Sequence, residues 1–142
     1  MARQNDLQSA DVAPENSPRA PEAGALGRAP PIDLDRLRSQ TFGDEALIDE
    51  ILQLFDRQAE EMIAALQEFS LAQRHSYLHL AHKQVGSALG VAAGPLAQAA
   101  RRLEALLRAE RPEPSQIGEA VEALIANLVK TRAFALRLRT RA

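Results

Sequence analysis

The feature that most constrains this chain is an apolar period of three to four residues, which continues with few breaks from Asp44 to the C-terminus. Apolar residues at that spacing fall on one face of an α-helix, whereas a half-buried strand alternates apolar and polar residues. The period is interrupted at Ser70, at the pair Gly94-Pro95 and at the loop ERPEPSQ, all of them residues that end or start helices. We therefore expect four long helices, covering about residues 44–69, 70–92, 94–109 and 115–138.

The apolar stripe of each predicted helix has to be buried against a neighbour. Antiparallel packing is the simplest arrangement for long helices joined by short turns, so the sequence predicts an all-α fold, an antiparallel up-down four-helix bundle. The segment IDLDRLRSQ predicts a short extra N-terminal helix with Leu34 and Leu37 facing inward. Asp44 and Ser115 are expected to cap the first and fourth long helices. The predicted inward positions of the second helix are Leu78, Ala81, Val85, Ala88 and Ala92.

Residues 1–31 have a different character, because they hold five of the eight prolines, several alanines and no apolar period. This composition is typical of a disordered segment. We therefore divide the chain into a Pro/Ala-rich disordered tail, residues 1–31, and a helical domain, residues 32–142.

Composition excludes several functional classes. The absence of cysteine removes disulfides and thiolate metal sites. No signal peptide and no bilayer-length apolar run occurs, so we expect a cytoplasmic protein with no membrane partner. The basic stretch KTRAFALRLRTRA lacks the interleaved aromatic residues of a nucleic-acid platform, and no nucleic-acid partner is expected. Without a phosphate-binding glycine loop or a nucleophile elbow, no autonomous kinase or hydrolase activity is expected either.

Three histidines lie close together in the second helical segment, within RHSYLHLAHKQVGSALG. At about 100° per residue, His75, His79 and Gly86 fall within about 60° of His82 on the helix, whereas Ala81 and Ala88 lie about 100° to 120° away. The histidine stripe therefore flanks the inward face and points outward. This predicts that solvent or another protein reaches the His82 ring.

Gly86 weakens the predicted helix by about 1 kcal/mol relative to alanine. It lies one turn beyond His82 on the same side, so the imidazole stands beside bare backbone that a bulky partner can approach. The alternative interpretation is that the glycine allows close helix packing inside the domain.

The spacing of the three histidines also suggests a metal site, since one helical face offers two imidazoles at this spacing. No further ligand and no acidic helper accompanies them, and solvated surface histidines explain the same pattern. We therefore expect no metal site.

The segment AHKQVGSALGVAAGPLAQAARRLEALL resembles the histidine phosphotransfer (HPt) domain of bacterial phosphorelays. That family centres on a helix with the motif A-H-x-x-K-G-[SA]-[SA], and Ala81, His82, Gly86, Ser87 and Ala88 occupy matching positions. RRLE falls where the family's next helix ends, and the upstream DEALIDEILQLFDRQAEEMIAALQ is similar to the family's opening, including its LF pair. The resemblance spans about residues 32–138 and implies an HPt-like fold for the whole domain.

The resemblance implies that the protein relays a phosphoryl group between receiver-domain aspartates. His82 would accept the group on an imidazole nitrogen, a role that suits imidazole because it is nucleophilic when neutral and titrates near physiological pH. The expected partners are response-regulator receiver domains and a hybrid histidine kinase. The receiver would supply Mg²⁺, and the chain would need no cofactor of its own. We expect a monomer, because one chain contains all four helices.

Two positions depart from the family pattern. Val85 stands where the family has a lysine that helps to neutralise phosphoryl charge, and Ala92 stands where it often has glycine. Lys83 lies about 100° from His82, on the other side of Gly86. Either it reaches the phosphoryl group from that flank, or it is a solvated surface charge. The missing lysine supports an alternative function, a non-catalytic helical adaptor that binds a receiver or histidine kinase without accepting phosphate.

Overall fold

The computed structural model describes residues 29–141, of which those from Pro31 onward form one compact unit. The predicted tail, residues 1–31, lies outside the described residues except for its last three. The described part is all-helical, as predicted, and none of its helices is long and apolar enough to cross a membrane. Its elements are α1 (Leu34–Gln40), α2 (Glu45–Gln67), a 3₁₀ turn (Leu71–Gln73), α3 (Arg74–Gly90), α4 (Gly94–Arg108) and α5 (Pro114–Arg141).

The five helices pack around one apolar core. α3 lies against α4, α4 against α5, and α2 contacts both α5 and α3. Asp49 pairs with Arg139 and Asp56 with Arg132, so α2 and α5 run antiparallel. Burial of one Leu, Ile or Phe side chain stabilises a fold by about 1.5–3 kcal/mol. The largest side chains buried in this way are Phe55, Ile32, Leu37, Leu52, Leu66, Leu96, Leu103, Leu107, Ile117, Leu124 and Leu128.

α1 is attached to the C-terminal end of α3. The Gln40 side-chain amide donates a hydrogen bond to the Leu89 carbonyl at 3.3 Å. Leu37 is fully buried and Leu34 packs partly buried against the core, which confirms the predicted inward face of this short helix.

Of the two predicted N-caps, Asp44 is confirmed and Ser115 is not. The Asp44 side chain accepts a backbone N–H at 3.1 Å and caps α2, as predicted. The prediction that Ser115 caps the last helix is wrong, because α5 already begins at Pro114. The Ile117 N–H donates to the Glu113 carbonyl at 3.0 Å, so the proline occupies the first helical position, where its missing N–H costs nothing.

The inner face of α3 is turned slightly from the predicted one. Ala81 and Ala88 are buried as predicted, whereas Leu78 and Val85 are only half-buried. Tyr77 is buried instead, because its hydroxyl donates to the Ala65 carbonyl at 2.8 Å and its polar end is therefore satisfied. The remaining buried position is Gln84, whose side-chain nitrogen has no hydrogen-bond partner.

Two helices end with a residue other than glycine in the left-handed region. α3 ends at Gly90, before the predicted end, and Ala92 follows with φ 58° while the Ala93 N–H donates to the Ala88 carbonyl at 2.8 Å. This is the helix-ending geometry in which glycine is preferred. α1 ends in the same way at Gln40, because Phe42 follows with φ 56° and the Gly43 N–H donates to the Arg38 carbonyl at 2.9 Å. The Phe42 side chain is almost fully exposed.

Candidate functional site

His82 lies near the middle of α3 on the face turned away from the core. Its side chain is 67% exposed, in agreement with the outward orientation predicted from the helical period. The ring is therefore open to a second protein, and α3 supplies a rigid base because Ala81, next to it in the chain, is completely buried.

One nitrogen of the His82 ring is held by a carboxylate on the neighbouring helix. His82 Nδ1 lies 2.8 Å from Glu104 Oε2 on α4, and the Glu104 side chain is only 12% exposed. An ionised carboxylate only accepts hydrogen bonds, so Nδ1 must carry the proton in this contact. In the neutral ring Nε2 then bears the lone pair, and it is the nitrogen available as a nucleophile.

Glu104 has a second partner, which balances its charge. Arg108 Nη2 lies 2.9 Å from the same Oε2 atom, one helical turn further along α4. A largely buried carboxylate is costly unless it is paired and hydrogen-bonded. The guanidinium and the imidazole both contact Oε2 of this carboxylate, so the orientation of the His82 ring depends on a small network across α3 and α4.

The sequence interpretation did not identify Glu104 or Arg108 as site residues. Glu104 is 22 residues from His82 in the chain, and only the packing of α3 against α4 brings them together. A weak signal was present, because Glu104 lies beside Leu103 and one turn before Arg108 on a helix whose inward stripe is otherwise Leu and Ala. A carboxylate at the edge of an apolar stripe is unusual unless it has a partner.

Gly86 is exposed, and a Cβ atom added to it would meet nothing within 4 Å. Close helix packing therefore does not require a glycine here, which removes the alternative interpretation of this residue. Its φ is also compatible with an ordinary side chain. What remains is a stretch of uncovered backbone one turn from His82, at a cost of about 1 kcal/mol in helix stability.

Lys83 lies on the other flank of α3 from Glu104. It lines a groove between α2 and α3 together with Gln58 and Ser87, and Gly86 borders the same groove. Within residues 29–141, no carboxylate lies within ion-pair distance of Lys83. In that range its ammonium group therefore has no ion-pair partner, whereas the His82 imidazole contacts Glu104 on α4.

His75 and His79 are exposed and border one shallow depression with His82, Leu78 and Arg108. Among the described residues, no three His, Asp or Glu side chains converge in a way that would hold a metal ion. The two additional histidines thus lie beside the His82 ring without forming a ligand set with it.

No protein-family model, no curated protein and no solved structure matches this chain.

Proposed function

We propose that this protein is a histidine phosphotransfer protein in which His82 carries a phosphoryl group between receiver-domain aspartates. The observation that carries the proposal is the exposed His82 ring whose Nδ1 is held by Glu104 at 2.8 Å, which leaves Nε2 free. The uncovered backbone at Gly86 supports it, because a receiver has to bring its aspartyl phosphate within bonding distance of that nitrogen.

In this proposal the Nε2 lone pair attacks the phosphorus of an aspartyl phosphate on the donor receiver. The P–O bond to the aspartate breaks, and its electron pair leaves with the carboxylate. Nδ1 keeps its proton, so the phosphorylated ring is cationic and faces the Glu104 carboxylate, which stabilises it. Transfer to the acceptor reverses the process, since an aspartate oxygen attacks phosphorus and the P–N bond breaks towards nitrogen.

The receiver, in this proposal, supplies Mg²⁺ and the reacting carboxylate, and this chain supplies a positioned nucleophile. We further propose that α2 to α5 form an antiparallel four-helix bundle of the HPt type, with α1 as the extra N-terminal helix. Support comes from the contacts of these four helices, each of which packs against two of the others. A cytoplasmic monomer is the state that suits this function.

The test is phosphotransfer from phosphorylated receiver domains of the source organism. Wild-type protein should acquire acid-labile phosphate, and His82→Gln should acquire none, because the amide has no nucleophilic nitrogen. His75→Ala and His79→Ala serve as matched controls from the same exposed stripe and should still be labelled. Label that persists in His82→Gln, or no label from any receiver, would contradict the proposal.

A second function, a non-catalytic adaptor, is favoured by one observation. Val85 occupies the position at which the resembled family has its lysine, and the nearest lysine in the chain, Lys83, faces the α2 side. An adaptor would bind a receiver through the His82 face and stay unphosphorylated. Tight receiver binding without transfer, for wild type and His82→Gln alike, would select this function.

A further inference from the structure

The depression beside His82 has an unusual lining. It is bordered by His75, Leu78, His79 and His82 from α3 and by Arg108 from α4, and encloses about 200 Å³. Within the described part of the chain, three imidazoles and a guanidinium line it, and no carboxylate does. Leu78 is half-buried and provides the apolar part of the surface.

The donor groups around the depression favour an anion over a cation. Glu104 lies behind it, but Oε2 of this carboxylate is already engaged by His82 Nδ1 at 2.8 Å and Arg108 Nη2 at 2.9 Å. The Arg108 side chain is 60% exposed, so its other N–H groups are not used up by Glu104. A guanidinium at this position would repel a metal ion, whereas a phosphate-class oxyanion matches its fork of donors.

The two sides of the depression are also held in place. The Arg74 guanidinium donates to the Ala109 carbonyl at 2.9 Å and so joins the start of α3 to the end of α4, directly beside His75 and Arg108. The second tie is the Glu104 network itself. Because the Glu104 contact holds Arg108 in place, this donor loses little freedom when an anion binds.

We propose that this depression is a binding site for a phosphate-class oxyanion, in which Arg108 and His79 provide the donors next to His82 Nε2. The biological role of this site rests on the proposed function, because a phosphoryl group on Nε2 would lie beside it. It also changes which residue donates to the phosphoryl oxygens, because the guanidinium comes from α4 and Lys83 takes no part.

The test needs no receiver. Histidine-ring ¹H–¹⁵N spectra of the wild-type chain are recorded during titration with inorganic phosphate, at constant pH and with sodium chloride keeping the ionic strength constant. Phosphate should shift the His79 and His82 signals and saturate. Arg108→Gln should weaken binding about tenfold, because a charge-assisted hydrogen bond is lost. His79→Gln should weaken it less, and Lys83→Gln, a charge-matched control on the other flank, should leave it unchanged.

Absence of saturable shifts would overturn the site, as would equal weakening by Arg108→Gln and Lys83→Gln, which would indicate general charge screening. Arg108→Lys, with thermal unfolding measured for every variant, separates loss of the donor fork from loss of the fold. Methyl phosphate in a parallel titration distinguishes a site for free phosphate alone from one that also accepts a phosphoryl group on a carrier. Phosphate binding without receiver labelling would contradict the proposed function alone, and labelling without phosphate binding would contradict this site alone.

Discussion

At the scale of single residues, the proposed function depends on how His82 is oriented. Exposed histidines on helices are common, but the His82 Nδ1 atom contacts a largely buried carboxylate at 2.8 Å. This contact leaves Nε2 as the nitrogen that faces solvent. The carboxylate selects the ring tautomer and limits its rotation. Glu104 is therefore a positioning residue for the proposed nucleophile.

Replacement of Glu104 should separate its two effects. Glu104→Ala should slow phosphotransfer by about 10- to 100-fold, because neither the tautomer nor the ring orientation is maintained. The transfer rate of Glu104→Gln should lie between those of the wild type and Glu104→Ala, because the amide oxygen of glutamine still accepts a hydrogen bond from Nδ1. Transfer rates and the ¹⁵N shifts of the His82 ring measure this, with Glu119→Ala as an exposed control acid on α5. An unchanged tautomer population in Glu104→Ala would refute the positioning role.

Two substitutions of Gly86 should affect the protein in opposite ways, one raising its stability and the other lowering its phosphotransfer rate. Gly86→Ala should raise the free energy of unfolding by about 1 kcal/mol, since the new methyl group meets nothing and the helix loses a glycine. Gly86→Arg should reduce phosphotransfer from a receiver by obstructing its approach. Urea unfolding and transfer rates provide the two measurements.

Gly118 on α5 is the matched control for both changes, because a Cβ there also meets nothing within 4 Å. Gly118→Ala should be similarly stabilising, and Gly118→Arg should leave transfer unchanged. Equal losses of transfer in Gly86→Arg and Gly118→Arg would show that bulk near His82 is not the cause.

At the scale of helices, the ends of α1 and α3 carry a local cost that their sequences do not relieve. Phe42 and Ala92 both have φ near 57°, at positions where glycine is preferred. Their surroundings differ, because Phe42 is 94% exposed and Ala92 is 4% exposed. The same backbone conformation is therefore combined with no packing in one case and with full packing in the other.

This difference predicts different responses to glycine. Phe42→Gly should stabilise the protein by about 0.5–1 kcal/mol, because about 1–2 kcal/mol of left-handed strain is relieved and part of it is offset by greater freedom of the unfolded chain. Ala92→Gly should have a smaller effect, since a buried methyl worth about 0.8 kcal/mol is also lost. Denaturant unfolding of the two variants measures this, and a larger gain for Ala92→Gly would contradict it.

Local signals were sufficient to predict the helices but not the site. The apolar period and the cap at Asp44 act within a few residues of chain, and the structure confirms both. The predicted phase of α3 is slightly wrong, because Tyr77 and Gln84 are amphipathic or polar and are buried by the packing of their neighbours. The exposure of His82 was accessible from the same period, whereas the partnership with Glu104 arises only in three dimensions.

At the scale of the whole molecule, ion pairs join the second helix of the chain to the last. Asp49 on α2 accepts hydrogen bonds from Gln53 and from Arg139 on α5, and Asp56 accepts from Arg132. The Gln53 hydrogen bond first, and the Arg139 contact second, lower the pKa of Asp49 below its ordinary value of 3.8. This couples the docking of α5 to the ionisation of a carboxylate.

The direction of the resulting pH dependence follows from that lowered pKa. A carboxylate with a lower pKa in the folded state stabilises the fold above its unfolded-state pKa, and this contribution disappears as the pH falls through the folded-state pKa. Asp49→Asn should therefore lose less stability than the wild type on acidification from pH 5 to below pH 3.8. Thermal unfolding across that range is the measurement, and parallel curves for the two proteins would contradict the coupling.

Under the proposed function, the division of labour between α3 and α4 has a consequence for quality control in signalling. The proposed nucleophile is carried by α3, but the carboxylate that orients it lies on α4. A chain in which these two helices have separated therefore still displays a histidine and yet lacks the oriented nitrogen. Damaged or incompletely folded copies would then lose phosphotransfer before they lose the rest of the fold. In the proposed relay, phosphoryl groups would pass only through molecules in which α3 and α4 remain packed together.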